Sequence, residues 1–122
     1  LVQDSSMLFG KIGYHEWEGL SVDPDERLRI AKNLGNNSCL VMRNHGFLTV
    51  GETAGQCFMN MYYLIRMCEV ALSATASKID LDSGLEQLWP IASNQYEAFK
   101  PGLYEWPALL RRCDRLDPSY KK

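Results

Sequence analysis

The sequence predicts a layered α/β or α+β domain, and three observations carry that prediction. A capped helix signal ending at Gly35 runs through Asn36-Asn37 straight into the apolar stretch Ser38–Met42. A polar corner and a second short strand follow, stopping at Gly51. A long helix signal then begins at Thr53. Helices joined to buried strands by very short loops stack on the sheet that those strands form.

Leu1–Ser6 has no usable pattern. Met7–Tyr14 reads as a strand containing Gly10 and Gly13, and strand glycines mark bulges or the close approach of another backbone. His15-Glu16-Trp17-Glu18-Gly19 leaves that strand as a polar, aromatic-bearing loop. The next helix starts at Asp23-Pro24-Asp25-Glu26: Asp23 can cap, Pro24 suits the first helical position, and Glu26 lies three residues past the cap. Leu28, Ile30, Ala31 and Leu34 form its apolar face, and Gly35 is placed to end it in a left-handed turn.

Thr53 and Gln56 match a capping box for a helix over about Thr53–Ser77. Its main apolar stripe is predicted at Ala54, Phe58, Met61, Ile65, Cys68, Leu72 and Thr75, widened by Met59, Tyr62, Tyr63, Met67 and Val70. A surface so wide fits a helix covered on two sides, for example by another subunit, or a helix central to its own core. Lys78–Gly84 reads as a polar linker. Pro90 forbids one unbroken helix over Leu85–Lys100, leaving a short helix on each side, or a loop and then a helix from Ile91 to Phe99. A last helix is expected over about Leu103–Leu116, with Pro107 in its first turn and Pro118 beyond its end.

A chain of 122 residues, 46% apolar and 23% charged, can build one core and is not disordered by composition. Its net charge of -2 provides no general field for nucleic acid or an anionic membrane. No apolar run reaches transmembrane length. Cys39, Cys57, Cys68 and Cys113 form no CxxC pair, which fits buried thiols in a reduced, cytoplasmic protein. The opening at Leu1, in mid-pattern, is expected of a piece of a longer polypeptide.

His45 is the leading candidate for chemistry, with a purely structural hydrogen-bonding role as the alternative. It follows a strand and precedes Gly46, so a rigid scaffold can aim its imidazole. A neutral imidazole can ligate a divalent metal while its other nitrogen is oriented by an acceptor. A catalytic zinc needs about three protein ligands, and His45 supplies one. Arg43 could hold a carboxylate or phosphate, or form a strand-end ion pair. Asn44 could donate to a substrate oxygen or fix the turn. For His15-Glu16, adjacent strand residues point to opposite faces, so loop polarity or a side-chain hydrogen bond is the reading preferred to ligand and base. Arg111, Arg112, Arg115, Lys121 and Lys122, interleaved with Asp114 and Asp117, read as a solvated helix face in preference to a phosphate- or filament-binding patch, with Tyr104, Trp106 and Tyr120 available to pack the tail onto the body or onto a neighbour. There is no Gly-rich phosphate loop, no GxSxG corner, no DNA-reading motif and no visibly activated cysteine. No catalytic residue is assigned.

Leu40-Val41-Met42-Arg43-Asn44-His45-Gly46-Phe47-Leu48-Thr49-Val50-Gly51, followed by a long helix carrying Cys68-Glu69, resembles the class II aldolase/adducin family. The approach through Gly13-Tyr14-His15-Glu16-Trp17-Glu18-Gly19 and Asn33-Leu34-Gly35 is similar to the adducin-type branch. The tail, Trp106–Arg112 and Asp117–Tyr120, is similar to that of bacterial members of that branch, and the most specific core of the resemblance is Met7–Ala76. The resemblance implies a three-layer α/β/α domain with a mostly antiparallel central sheet, assembled as a homotetramer. It implies a divalent metal, usually zinc, held by three histidines, of which His45 matches the third, and lyase-type chemistry on small hydroxy-carbonyl or sugar-phosphate substrates. The first two histidines and the acidic base belong to the preceding half of the domain. Residues 1–77 are then expected to be the C-terminal half of that domain and 78–122 a linker and helical tail. The metal needs ligands beyond this chain, and little or no turnover is expected from the chain alone. The alternative is a non-enzymatic, adducin-like interaction module.

Overall fold

The computed structural model describes residues 2–20, 22–78, 80, 82 and 84–121. Among the described residues three strands, β1 (Ile12–His15), β2 (Cys39–Met42) and β3 (Gly46–Thr49), form one sheet in the order β1-β2-β3. β1 and β2 are parallel, with Ile12 opposite Cys39 and His15 opposite Met42. β2 and β3 are antiparallel, with Met42 opposite Gly46. The resemblance implied a mostly antiparallel sheet; here one pair is of each kind. The parallel pair is joined by a helical crossover, α1 (Glu26–Leu34), as parallel strands require.

Strand alternation sorts the two faces of the sheet. Gly13, His15 and Leu40 share the face toward α1, while Ile12 and Cys39 join the core beneath α2 (Ala54–Ala76). The α/β/α layering is therefore present. Gly13 makes the α1 side possible: a Cβ there would lie 2.5 Å from the carbonyl oxygen of Asn33.

The expected strand over Met7–Tyr14 is corrected. A 3-10 helix spans Gln3–Leu8, and the strand begins at Ile12. The Ser6 hydroxyl donates to the Gln3 carbonyl at 2.7 Å, a local bond that competes with extended pairing. Met7 and Leu8 are both buried, which consecutive residues of a strand covered on one face cannot be.

The start of α1 is corrected: the helix begins at Glu26, with Asp25 at the cap position and no side-chain cap bond, while Asp23 closes the turn before it by accepting the Asp25 N–H at 2.9 Å. The expected apolar face of α1 holds in part: Ile30 and Leu34 are half-buried, but Leu28 and Ala31 are exposed, and the buried residue of the helix is Glu26. In α2, Thr53 accepts the Gln56 N–H at 3.1 Å, and the Gln56 amide oxygen accepts the Glu52 N–H at 2.8 Å. The core-facing stripe differs from the one expected. Met59, Asn60 and Leu64 are buried, with Tyr63, Met67 and Cys68 partly so, while Phe58, Ile65 and Leu72 face outward. β3 is stitched to α2 by Thr49 Oγ1 donating to the Cys57 carbonyl at 3.1 Å and by Asn60 Nδ2 donating to the Val50 carbonyl at 2.9 Å.

Pro90 sits in the first turn of α3 (Trp89–Ala98), after a 3-10 turn at Glu86–Leu88. Phe9 and Trp89 stack edge to face at 5.6 Å, docking α3 on the Gln3–Leu8 segment. α4 (Glu105–Leu116) returns to α2 where Gly55 meets Gly102, and Trp106 packs on Phe58 at 5.8 Å. Ile79, Leu81 and Ser83 of the expected linker and Lys122 of the basic cluster lie outside the described residues. No helix among the described residues is long and apolar enough to cross a membrane.

The burial of α2 sets a direct test. Leu64 is fully buried and Leu72 is 73% exposed. Leu64→Ala should cost about 2–5 kcal/mol of unfolding free energy. Leu72→Ala should stay within about 0.5 kcal/mol. Urea titrations of the two variants check the assignment of faces.

Candidate functional site at the carboxyl end of the sheet

Because β1 and β2 are parallel, their carboxyl ends lie side by side. The Arg43 N–H donates to the His15 carbonyl at 2.9 Å, continuing the pairing past the strands. Arg43-Asn44-His45 is the three-residue loop between β2 and β3. Asn44 stands at φ 55°, a left-handed conformation that Asn tolerates, and the His45 N–H closes the turn on the Met42 carbonyl at 3.1 Å. The corner thus forms for local reasons and leaves His45 exposed at the sheet end, where ligands of open α/β sheets bind.

Arg43 Nε lies 3.2 Å from Glu16 Oε1, so its strand-end ion pair is formed. Both partners are exposed, and such a pair contributes about 0–1 kcal/mol, little enough for an arriving anion to displace. Asn44 shapes the turn through its backbone.

His15, expected in a loop, is the last residue of β1 and is 2% exposed. Its Nδ1 stands 2.9 Å from Asn33 Nδ2, which supplies the expected side-chain hydrogen bond. Its Nε2 stands 3.6 Å from Glu26 Oε1, is buried, and has no hydrogen-bond partner. A buried polar atom left without a partner costs about 1–3 kcal/mol. Glu16, the neighbour offered with it, points away into solvent toward Arg43. The sequence reading missed Glu18 and Glu26. A signal for them was available: in a β-α unit the strand's last residue and the helix's first residue meet at one edge of the sheet.

Beside His15, Glu18 accepts from Arg29 Nε at 3.0 and 2.8 Å on its two oxygens, and Arg29 Nη2 also reaches Asp23 Oδ2 at 2.7 Å. Hydrogen bonding from Arg29 holds both carboxyls below the usual carboxylate range and pushes the guanidinium further up. Burial raises the Cys39 thiol, away from reactivity. All four cysteines are free thiols. In the tail, Asp114 holds Lys121 at 2.7 Å and accepts from the Tyr120 hydroxyl at 2.5 Å, so these groups serve the tail itself.

The residues present do not complete the metal site implied at His45. Among the described residues, the group of three or more ligating side chains within 4.8 Å of one another is His15, Glu18 and Glu26, which does not include His45. His45 contributes a single donor, and no catalytic step is drawn through a metal there.

This chain belongs to the class II aldolase and adducin family: the model described as "Class II Aldolase and Adducin N-terminal domain" matches residues 1–72. A Caulobacter vibrioides relative, provisionally named an aldolase class 2 protein, is 35% identical over 98% of the chain and 48% of its own length. Alpha-adducin of Rattus norvegicus is 35% identical over 62% of the chain and 10% of its own length. The crystal structure of an aldolase II superfamily protein from Pseudomonas syringae superposes on the whole chain and 50% of its own with a TM-score of 0.86, at 26% identity. L-fuculose 1-phosphate aldolase from Glaciozyma antarctica covers 78% of the chain and 40% of its own with a TM-score of 0.54, at 27% identity. The chain spans about half the length of the bacterial relatives it matches. Aldolases and adducins both stand among the relatives, so membership holds for the family as a whole rather than for the adducin-type branch.

The Arg29 cluster has a pH signature. Glu18 and Asp23 have lowered values in the folded chain, so the stability they confer is complete above the ordinary carboxylate range, about pH 4–5. It is lost as pH falls through the lowered values. Arg29→Gln removes the cause, and the variant should lose less stability on acidification below about pH 4 than the parent does. Urea midpoints measured across that range read the difference; parallel acid limbs would show that Arg29 is not responsible.

Proposed function

We propose that the chain is part of a class II aldolase-like, metal-dependent lyase acting on a small hydroxy-carbonyl or sugar-phosphate substrate. His45 is one metal ligand, with Arg43 and Asn44 as substrate-binding or ligand-orienting groups. The observation that carries this reading is the exposed His45, held on a rigid hairpin at the carboxyl end of the sheet in a chain of this family. The names of the Caulobacter, Pseudomonas and Glaciozyma proteins support an aldolase, and the last supports a sugar phosphate as substrate class. Zinc is the preferred ion, with its other ligands coming from outside this chain. Residues 1–77 form the family-domain portion and 78–122 the tail, a division supported by the match over residues 1–72. The exposed Tyr62 and Ile65 of α2 support assembly into a homo-oligomer, and the free thiols support a reducing compartment, the cytoplasm.

The alignment with alpha-adducin favours a second reading, a non-enzymatic interaction module. One experiment separates the two. In the intact protein, His45→Ala should lower bound metal by one equivalent per chain and abolish aldol-type cleavage. With metal stripped from both, parent and variant should melt at nearly the same temperature, because the side chain is exposed. Metal content unchanged by the substitution would overturn the enzyme reading and leave the module.

A further inference from the structure

The crossover from β1 to α1 carries a group of side chains that the proposed function does not use. We propose that His15, Glu18 and Glu26 form a divalent-cation site, with zinc the ion that its donors suit. The three ligating atoms lie within 4.8 Å of one another. His15 Nε2 is buried, has no hydrogen-bond partner and is aimed at this group. Two ligands of a tetrahedral zinc, each bonded at about 2.0–2.1 Å, stand about 3.3 Å apart, and His15 Nε2 and Glu26 Oε1 are already at 3.6 Å.

The surroundings match a bound ion. Asn33 faces His15 Nδ1 at 2.9 Å. With the amide turned end for end, its oxygen accepts Nδ1–H, and the Nε2 lone pair is directed at the cation. This is how metal-bound histidines are oriented. Arg29 makes three contacts with the two Glu18 oxygens, through Nε and Nη2, and of the about four acceptor positions of an ionised carboxylate one is left for a metal. Glu18, Glu26 and Asp23 set three formal negative charges against the single positive charge of Arg29, and one divalent ion neutralises the remainder. Glu18 is the solvent-exposed member and marks the entry side. The ion clamps the end of β1 to the start of α1.

Zinc titrated calorimetrically into the intact His45→Ala protein tests the site, because zinc bound there cannot depend on the hairpin corner. One zinc per chain and a raised melting temperature are expected. Glu26→Gln in that background should remove the binding, and Glu18→Gln should weaken it about tenfold or more. Asn33→Ala, which alters orientation and leaves every ligand in place, should weaken it about 10–100-fold. Should Glu26→Gln fail to fold, the Glu18→Gln and Asn33→Ala proteins decide. Absence of zinc binding in the His45→Ala protein overturns the proposal, as does binding that neither Glu18→Gln nor Asn33→Ala weakens. Loss of one metal equivalent on His45→Ala is a separate readout, so either idea can fail without the other.

Discussion

Parallel pairing of Ile12–His15 with Cys39–Met42 decides where chemistry can lie in this chain. A parallel pair cannot be closed by a tight turn, so the chain crosses the sheet through α1. In that crossover the end of the first strand, the start of the helix and the end of the second strand all reach the carboxyl end of the sheet. His15, Glu26 and the Arg43–His45 loop therefore converge although they are far apart in sequence. The bond from the Arg43 N–H to the His15 carbonyl fixes the loop directly to β1, so the corner and the buried histidine share one piece of backbone.

Gly13 is the packing condition for this arrangement. It lies on the same face as His15, two residues earlier, under the Asn33 carbonyl. Any side chain there would lift α1 away from the sheet. Asn33 would then leave His15, and Glu26 in the first turn of α1 would move with it. A residue with no side chain thus controls the surroundings of a histidine that it does not touch.

The hairpin corner was legible because its signals are local: two apolar runs, an Asn able to take positive φ, and a Gly. The start of α2 was legible for the same reason, since Thr53 and Gln56 bond within their own turn. The buried face of α2 was not. Phe58, Met59, Met61, Tyr62, Tyr63, Leu64, Ile65 and Met67 put apolar groups nearly all around the helix, so periodicity cannot choose a side. The Met7-Leu8-Phe9 run was ambiguous in another way. A short apolar run suits a strand or a tight helical turn, and the Ser6 bond to Gln3 favours the turn. The His15 environment depends on a crossover joining residues from three segments, which a linear pattern does not display.

The two histidines stand at one end of the sheet in opposite physical situations. His45 is exposed on a turn, where its imidazole can meet a ligand that arrives from solvent or from another part of the protein. His15 is buried at a strand end, held by Asn33 and faced by a buried carboxylate. Burial penalises an unpaired charge far more than it penalises a paired one. A site like that of His15 therefore rewards a fixed partner and resists exchange, whereas the site of His45 permits exchange. The exposed setting of His45 therefore suits the exchangeable ligand proposed for the corner, and the buried setting of His15 suits the fixed ion proposed behind it.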